Sequence, residues 1–502
     1  MSEGQPTGLR SVAPTGRVEA CAEAGGGARR SGELRTLDDL PGPRGWPLLG
    51  NLPHLEVARA HTILSRWASE FGPFYRFRVA HRNAVAIADP DLINEVLRDR
   101  PVRFRRISLI KDAILDLGVE GVFTAEGTSW RRQRKLAMHA LNTEHLRAFF
   151  DRLEQVTARL QRRWERAAES GARIDAQGDL MRFTIDVTSG LAFGTDLNTL
   201  ETEGDIIQQH LDKVFPALAR RTFAPFPYWR WFRLPADRKV DAAMRRVLAL
   251  VNELVTGARA RVANAPQGTK PGNFLDAMVM AQSDDAAAFT DAELVGNTLT
   301  MLLAGEDTTA NSLAWLMHLM VEHPDVQARM REEADRVLRS APRPPDYAST
   351  EALRYIEAAA HEAMRVLPVA PLQGAEPNED TVIGDVRVPR GTPIYLLTAH
   401  IATSTANFRD GQAFRPERWL EAGGRSAIGH NLHAFLPFGA GPRFCPGRHL
   451  AMLEIKMVAA MLCRNFEVGR YPSAPPPEQL FSFTMMPRNL FVMLKRRGTP
   501  PA

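Results

Sequence analysis

The sequence predicts a mainly α-helical fold with small β-sheets, built as a single large domain. Long segments carry apolar residues at three- and four-residue spacing, which is the period of an amphipathic helix. Shorter segments rich in β-branched and aromatic residues predict strands. No internal repeat and no long linker appears after residue 40, so the 502 residues predict one domain rather than several in series.

Helical periodicity dominates once the Pro- and Gly-rich turn that starts at Pro41 has passed. The predicted helices cover residues 91–98, 130–141, 143–168, 178–192, 203–218, 240–262, 290–322, 323–339, 350–367 and 447–463. The predicted strands cover residues 74–79, 83–87, 381–388, 392–397 and 481–494. Residues 220–234, from Arg220 to Leu234, mix six aromatics and four arginines with prolines, and predict a loop that packs on its own domain or makes peripheral contact with a membrane.

Composition sets the domain bounds and excludes several classes of protein. Residues 1–40 are rich in Gly, Ala, Arg, Glu and Ser, and predict a disordered leader before a domain at 41–502. Glu306 and Asp307 interrupt the best apolar run, so no spanning helix is expected and the predicted location is cytoplasmic. The 63 Lys and Arg against 58 Asp and Glu give a net charge of +5, spread along the chain without a nucleic-acid motif, so no nucleic-acid partner is expected. Three cysteines exclude a disulfide framework and an iron–sulfur cluster held within the chain.

One cysteine, Cys445, lies in a loop whose neighbouring residues favour a reactive or metal-binding thiol. Glycines and a proline precede Cys445, a helix begins at Gly447, and two arginines flank the thiol, which predicts a thiolate. A thiolate serves as a nucleophile or as a metal ligand. A zinc site with His449 has too few ligands, and a cysteine hydrolase would need His449 as its base. Cys463 is predicted to be a core residue, and Cys21 lies in the leader.

The segment around this cysteine resembles the haem-binding signature Phe-x-x-Gly-x-Arg-x-Cys-x-Gly of cytochrome P-450 monooxygenases. Its five fixed positions are Phe438, Gly441, Arg443, Cys445 and Gly447. The resemblance implies the P-450 fold around haem b (iron protoporphyrin IX), with Cys445 as the iron ligand. It extends over about residues 41 to 495 and suggests a soluble, bacterial-type member.

A second motif interrupts the longest predicted helix. Ala304, Gly305, Asp307 and Thr308 combine small residues, an acid and a hydroxyl, and match the family's oxygen-binding groove. Asp307 and Thr308 are the implied catalytic pair that relays protons, because an acid beside a hydroxyl suits general-acid work. Glu306 is expected to face away from the iron.

Two further motifs match the family. Trp130 and Arg134 share a helix face and resemble its propionate-binding pair, with Arg443 for the other propionate. Arg131, Arg132, Lys135 and Arg448 are interpreted as a surface that docks a partner. The sequence departs from the family at Ala375, where many members carry another propionate-binding arginine; the nearby Gln373 carries no charge.

Glu362 and Arg365 share a helix face and resemble the family's structural Glu-x-x-Arg, completed by Arg418. They are interpreted as structural residues rather than catalytic ones.

The resemblance also suggests a substrate pocket and an activity. The candidate pocket residues are mostly apolar: Phe123, Leu303, Ala304, Val369, Ala370, Leu372 and Met485. They suit hydroxylation of an unactivated C–H bond in a fatty acid, terpenoid or polyketide, with O2 as co-substrate. Because the chain has no dinucleotide fingerprint, electrons from NAD(P)H are expected through a ferredoxin or flavodoxin and its reductase. The alternatives are a peroxide-driven or rearranging enzyme on the same fold, and a non-catalytic haem sensor.

Overall fold

A computed structural model describes residues 34–203, 207–222, 224, 226–266, 268–284, 288–420 and 430–498. Cys21 and most of the predicted leader lie outside these residues. The predicted boundary at residue 40 is wrong for residues 34–40, which are packed onto the domain. Arg35 forms a β-bridge to Val386 and donates to the Asp385 carboxylate at 2.6 and 2.7 Å, while Leu37 and Leu40 are buried.

Helices make up most of the described chain. Their bounds are α1 (Ala60–Phe71), α2 (Pro90–Arg98), α3 (Ser108–Leu115), α4 (Gly127–Ala140), α5 (Thr143–Ala148), α6 (Phe150–Ser170), α7 (Ala176–Phe193), α8 (Gln208–Leu211), α9 (Val214–Thr222), α10 (Pro235–Ala263), α11 (Phe274–Asp284), α12 (Asp291–Glu322), α13 (Pro324–Leu338), α14 (Tyr347–Glu351), α15 (Arg354–Val366), α16 (Thr398–Thr403) and α17 (Arg448–Asn465). The segment predicted as one helix at 143–168 is divided into α5 and α6. The predicted loop at 220–234 begins later than expected, because α9 continues to Thr222.

The strands form small sheets at the edges of the helical body. Their bounds are β1 (Phe74–Val79), β2 (Arg82–Ile87), β3 (Phe104–Arg105), β4 (Ile174–Asp175), β5 (Gln373–Pro377), β6 (Thr381–Ile383), β7 (Val386–Val388), β8 (Ile394–Leu396), β9 (Phe466–Arg470), β10 (Glu478–Ser482), β11 (Thr484–Arg488) and β12 (Phe491–Arg496). One sheet has the order β1-β2-β8-β5-β3, with β2 and β8 parallel, and another has the order β4-β12-β9. Two hairpins, β6-β7 and β10-β11, complete the set in the described residues.

The long helix α12 is central to the body and packs most extensively against α7. It starts where a capping box predicts: Thr290 Oγ1 accepts from the Glu293 N–H, and the Glu293 carboxylate accepts from the Thr290 N–H. Its first half contributes Leu299 and Leu302 to one apolar cluster, and its second half contributes Leu313 and other residues to a second cluster. The residues between these two halves carry the acid–hydroxyl motif, so the helix holds this motif at the centre of the molecule.

None of the helices in the described ranges combines the length and the apolar character that crossing a membrane requires.

Candidate functional site

The cysteine loop is closed by its own backbone. The N–H of Cys445 donates to the carbonyl oxygen of Phe438 at 2.8 Å, and Gly447 caps the N-terminus of α17. Gly441 has φ +67, and a Cβ there would lie 2.2 Å from the carbonyl oxygen of Leu97 at the end of α2. The loop can therefore approach α2 only with glycine at this position.

The protein alone does not ionise the thiol. The Gly447 N–H and the charges of Arg134 and Arg448 favour the thiolate, but burial dominates and raises the pKa of Cys445. The predicted thiolate is wrong for the polypeptide by itself, because the low-polarity surroundings outweigh the helix N-terminus. A bound cation would supply the missing charge, so Cys445 is suited to be a metal ligand. His449 is exposed and accepts from Arg448 Nε at 3.2 Å, which disfavours its use as a base for the thiol. Cys463 is fully buried, as predicted.

Helix α4 brings the predicted tryptophan and arginine to this loop. Arg134 donates to the Phe444 carbonyl at 2.6 Å, next to Cys445. The guanidinium of Arg443 lies 4.7 Å from the ring centre of the buried Trp130, donates to the Ala125 carbonyl and pairs with Glu126. Trp130, Arg134, Arg443 and Cys445 therefore meet in one place.

Two arginines that the sequence interpretation missed complete a cationic cluster. Arg106 lies 3.5 Å above the ring of Phe123, and Arg100 is 5 % exposed. Burial and the neighbouring charge of Arg443 lower the pKa of Arg100 to about 10, and burial with the charges of Arg100 and Arg443 lowers the pKa of Arg106 well below its ordinary value. Nε and Nη2 of Arg100 and Nε of Arg443 are buried without a hydrogen-bond partner. Such cations are costly to bury unless an anion joins them.

Ala375, where many family members carry an arginine, contributes no charge to the site. Ala375 is fully buried and pairs with Ile394, and the amide of Gln373 lies beside Gly439 of the cysteine loop. The run of arginines at 100–106 was visible in the sequence. The fold is needed to show that Arg103 and Arg105 pair with carboxylates, whereas Arg100 has buried nitrogens without a partner and Arg106 donates to the Phe123 carbonyl at 3.3 Å.

The middle of α12 presents one open face and one buried face. Ala304 is exposed, Thr308 is partly exposed, and Thr308 Oγ1 donates to the Ala304 carbonyl at 2.8 Å. Gly305 differs from its expected role: a Cβ there would meet Thr188 Oγ1 at 2.3 Å, so this glycine allows α7 to approach α12 rather than widening the groove.

Glu306 and Asp307 are buried on the sides of the same turn. Burial raises the pKa of Asp307 to about 6, and the nearby Thr484 hydroxyl and Asn311 amide limit the rise without forming well-aligned hydrogen bonds. Burial raises the pKa of Glu306 further, and Asp212 and Asp307 repel its charge. Glu306 is 1 % exposed on a different side of the helix from the open pair Ala304 and Thr308.

The predicted structural network is present and fully buried. Arg365 donates to Glu362 at 2.8 and 2.9 Å and to the carbonyls of Ala402, Gly411 and Ala413. Arg418 donates to the same carboxylate at 2.7 Å, and Trp419 Nε1 does so at 2.9 Å. This network fixes the chain that leads into the cysteine loop.

The candidate pocket residues fall into two groups. Ala304 and Ala370 are exposed and Phe123 and Leu372 are partly exposed, whereas Leu303, Val369 and Met485 are buried in the apolar clusters. Met485 is the most buried of the candidate pocket residues. This residue is 2 % exposed, while Phe483 at the tip of the β10–β11 hairpin stacks on Phe215 and contacts Phe123.

The sequence matches the Cytochrome P450 family over residues 40–494. The chain belongs to the cytochrome P450 family. It is therefore a P450 monooxygenase, with the P450 fold and a haem b cofactor, using O2 and electrons that come from NAD(P)H through partner proteins.

Several curated relatives align over most of the chain. A mitochondrial 25-hydroxyvitamin D-1 alpha hydroxylase of Rattus norvegicus is 29 % identical, over 90 % of this chain and 93 % of that protein. The chloroplastic Protein LUTEIN DEFICIENT 5 of Arabidopsis thaliana is 25 % identical, over 81 % of this chain and 69 % of that protein. A bifunctional cytochrome P450/NADPH–P450 reductase 2 of Bacillus subtilis is 26 % identical, over 87 % of this chain and 40 % of that protein. Because these relatives come from animal, plant and bacterial sources, the expected soluble, bacterial type is not supported.

The residues of this P450 fit haem b. Its two propionates would supply the anions that the buried and unpartnered guanidinium atoms of Arg100 and Arg443 require, and Arg106 and Arg134 would add further positive charge. Its iron is the cation that would turn the Cys445 thiol into a thiolate. Arg106 and Cys445 are surrounded by protein atoms yet keep some accessible surface, as side chains that line an internal recess do.

Proposed function

We propose that this P450 hydroxylates an unactivated C–H bond of an apolar small molecule such as a fatty acid, terpenoid or polyketide. The observation that carries the proposal is the open face of α12 at Ala304 and Thr308, together with the apolar side chains of Phe123, Ala370 and Leu372 (the apolar wall), which also keep accessible surface. Haem bound to a thiolate supplies the reduction of dioxygen and the transfer of one oxygen atom. The polypeptide supplies binding, exclusion of water and protons.

Asp307 and Thr308 are the proposed proton donors. Thr308 is partly exposed on the open face, and the Asp307 carboxyl on the next residue has a pKa raised to about 6, so it can hold and release a proton near neutral pH. The Thr308 hydroxyl now donates to the Ala304 carbonyl and must rotate to pass a proton into the recess. Glu306, which is buried beside Asp307 and whose pKa burial raises well above its ordinary value, lies away from the open face and is proposed as a reserve of protons rather than a direct donor.

Isotope labelling tests the proposed activity. The protein, supplied with NADPH, a ferredoxin and a ferredoxin reductase under ¹⁸O2, is incubated with fatty acids, terpenes and macrolides. We expect one labelled oxygen atom in the product. Product that forms only with peroxide would favour a peroxygenase, and haem spectra without any product from any of these compounds would favour the sensor.

Electron donors are proposed to dock where basic side chains surround the cysteine loop. Arg131, Lys135 and Arg448 are exposed, and Arg448 lies against Phe444 of the loop. Arg132 is less suited than predicted, because it pairs with Glu293 at 2.6 Å. An acidic ferredoxin or flavodoxin fits this charge. Reversing Arg131 and Lys135 to Glu should raise the KM for ferredoxin about tenfold at low salt and leave the haem spectrum unchanged.

Peripheral membrane contact is proposed for the segment 220–234. Trp231 is 72 % exposed and Phe226, Phe232 and Leu234 are also exposed, whereas Trp229 is buried and donates to Asp116 at 2.8 Å. In a flotation experiment with anionic liposomes, the wild-type protein should rise with the liposomes, and the double variant Trp231→Ser with Phe232→Ser should stay in the unbound fraction. A wild-type protein in the unbound fraction contradicts the proposal. A cytoplasmic location remains a proposal that rests on the free thiols of Cys445 and Cys463, and cell fractionation tests it.

A further inference from the structure

The β10–β11 hairpin links the apolar wall to the buried acid of α12. Its tip residue, Phe483, stacks on Phe215 of α9 with ring centres 5.8 Å apart, and meets Phe123 edge-on at 6.4 Å. Phe483 has φ +71, a strained conformation for an aromatic residue. The hairpin tip is therefore held by contacts with the pocket rather than by its own backbone preference.

The next residue, Thr484, contacts Asp307. Thr484 is 6 % exposed, and its hydroxyl stands beside the Asp307 carboxyl, as does the amide of Asn311 one helical turn away. Neither oxygen of Asp307 nor Oγ1 of Thr484 has a well-aligned hydrogen bond. All three atoms are buried, and a buried polar atom without a hydrogen bond destabilises the folded state. A closer pairing of Thr484 with Asp307 would therefore be stabilising.

Hydrogen bonds anchor the backbone of the residue that follows Thr484. The Met485 N–H donates to the Val369 carbonyl at 2.8 Å, and the Met485 carbonyl accepts from Trp315 Nε1 at 3.1 Å. Thr484 thus lies between an anchored residue and a tip that contacts the pocket. A displacement of Phe483 would move the Thr484 hydroxyl relative to Asp307.

We propose that Thr484 is a positioning residue that sets the proton affinity of Asp307 and couples it to the position of Phe483 in the pocket. The proposal rests on the proposed role of Asp307 in proton delivery. A hydroxyl that donates to the carboxylate favours its ionised form and so promotes release of the proton toward Thr308. The other titratable groups that face this carboxyl are Glu306 on the same helix and Asp212 after α8, so their contributions must be separated by variants.

Infrared titration of the haem-bound protein isolates this one carboxyl. The C=O band of Asp307 is identified as the band that the Asp307→Asn variant lacks. In the difference spectrum of wild type minus variant, the bands of the haem propionates and of Glu306 cancel. We expect Thr484→Val to raise the pKa of this band by about one unit, since it removes the hydroxyl that stands beside the carboxyl and favours its ionised form. Thr484→Ser should restore the wild-type value. Thr300→Val is the matched control, because its buried hydroxyl lies on the same helix and donates to Gly296 instead.

A second variant tests the coupling. Phe483→Ala should shift the same band in the wild-type background and leave it unmoved in Thr484→Val. An unchanged pKa in Thr484→Val, or in Thr484→Ala if the valine does not fold, overturns the proposal; equal effects of Phe483→Ala in both backgrounds overturn the coupling. The amount of peroxide released per NADPH consumed tests the proton-delivery role of Asp307 separately from the positioning role of Thr484. An Asp307→Asn variant with wild-type peroxide release refutes the proton-delivery role, while a shift in Thr484→Val would still establish the positioning contact.

Discussion

Replacing Asp307 by Asn is expected to stabilise the protein while it impairs the enzyme. Burial raises the pKa of Asp307 from its ordinary value of 3.8 to about 6. A shift of about two units corresponds to about 3 kcal/mol of preference for the neutral form in the folded state. Asn has the same shape as Asp but is never charged, so the variant avoids the free-energy cost of a buried carboxylate.

The sign of the effect follows from proton binding. The unfolded chain releases the Asp307 proton near pH 4 and the folded chain releases it near pH 6. The free energy of unfolding of the wild type therefore falls as the pH rises from 4 to 6. The variant should therefore be more stable by about 3 kcal/mol at pH 8 and by about half of that at pH 5. Urea unfolding followed by tryptophan fluorescence measures both values, with the exposed Glu379→Gln as the control. An equal difference between variant and wild type at the two pH values would show that desolvation of Asp307 is not the cause.

Three further predictions concern the residues that build the site. Arg106→Ala should lose haem to apomyoglobin about tenfold faster than the wild type, since it removes a charged donor from the propionates, while the exposed Arg98→Ala should not; equal rates would remove Arg106 from the set of haem contacts. Glu362→Ala leaves Arg365 and Arg418 buried without their carboxylate, and should cost about 3–5 kcal/mol in urea unfolding. A loss below about 1 kcal/mol would mean that this network is not structural. Gly441→Ala places a Cβ against the Leu97 carbonyl at positive φ and should lower the free energy of unfolding by about 1–3 kcal/mol, with a disturbed haem spectrum; an unchanged Tm and spectrum would contradict the close approach of the loop to α2.

Local signals in the sequence predicted the parts of the fold that local physics determines. The start of helix α12 was predicted to within one residue, because the capping box at Thr290 depends only on neighbouring residues. The bounds of β1 at 74–79 were predicted correctly. Helices α1, α3 and α11 were missed, and so was β5, which contains Gly374 and Pro377. Strand β5 exists because it pairs with β8 and β3, which are distant in sequence.

The candidate site shows the same division. The fixed positions of the motifs identified Trp130, Arg134, Glu362 and Arg365, and the structure brings them to the cysteine loop or beneath it. The sequence could not reveal which arginines of 100–106 pair with carboxylates, because the pair of Arg105 with Glu376 depends on where β3 and β5 meet. It also could not give the pKa of Cys445, because desolvation depends on the whole fold rather than on the neighbouring charges.

The central claim is that Cys445 is the axial ligand of a haem iron. The direct measurement is the absorption spectrum of the reduced protein under carbon monoxide, for the wild type, Cys445→Ser and Cys463→Ser. We expect the red-shifted band of a thiolate-bound haem in the wild type and in Cys463→Ser, and its loss in Cys445→Ser. A Cys445→Ser protein that keeps the band, or a haem-bound wild type that never shows it, would contradict the assignment.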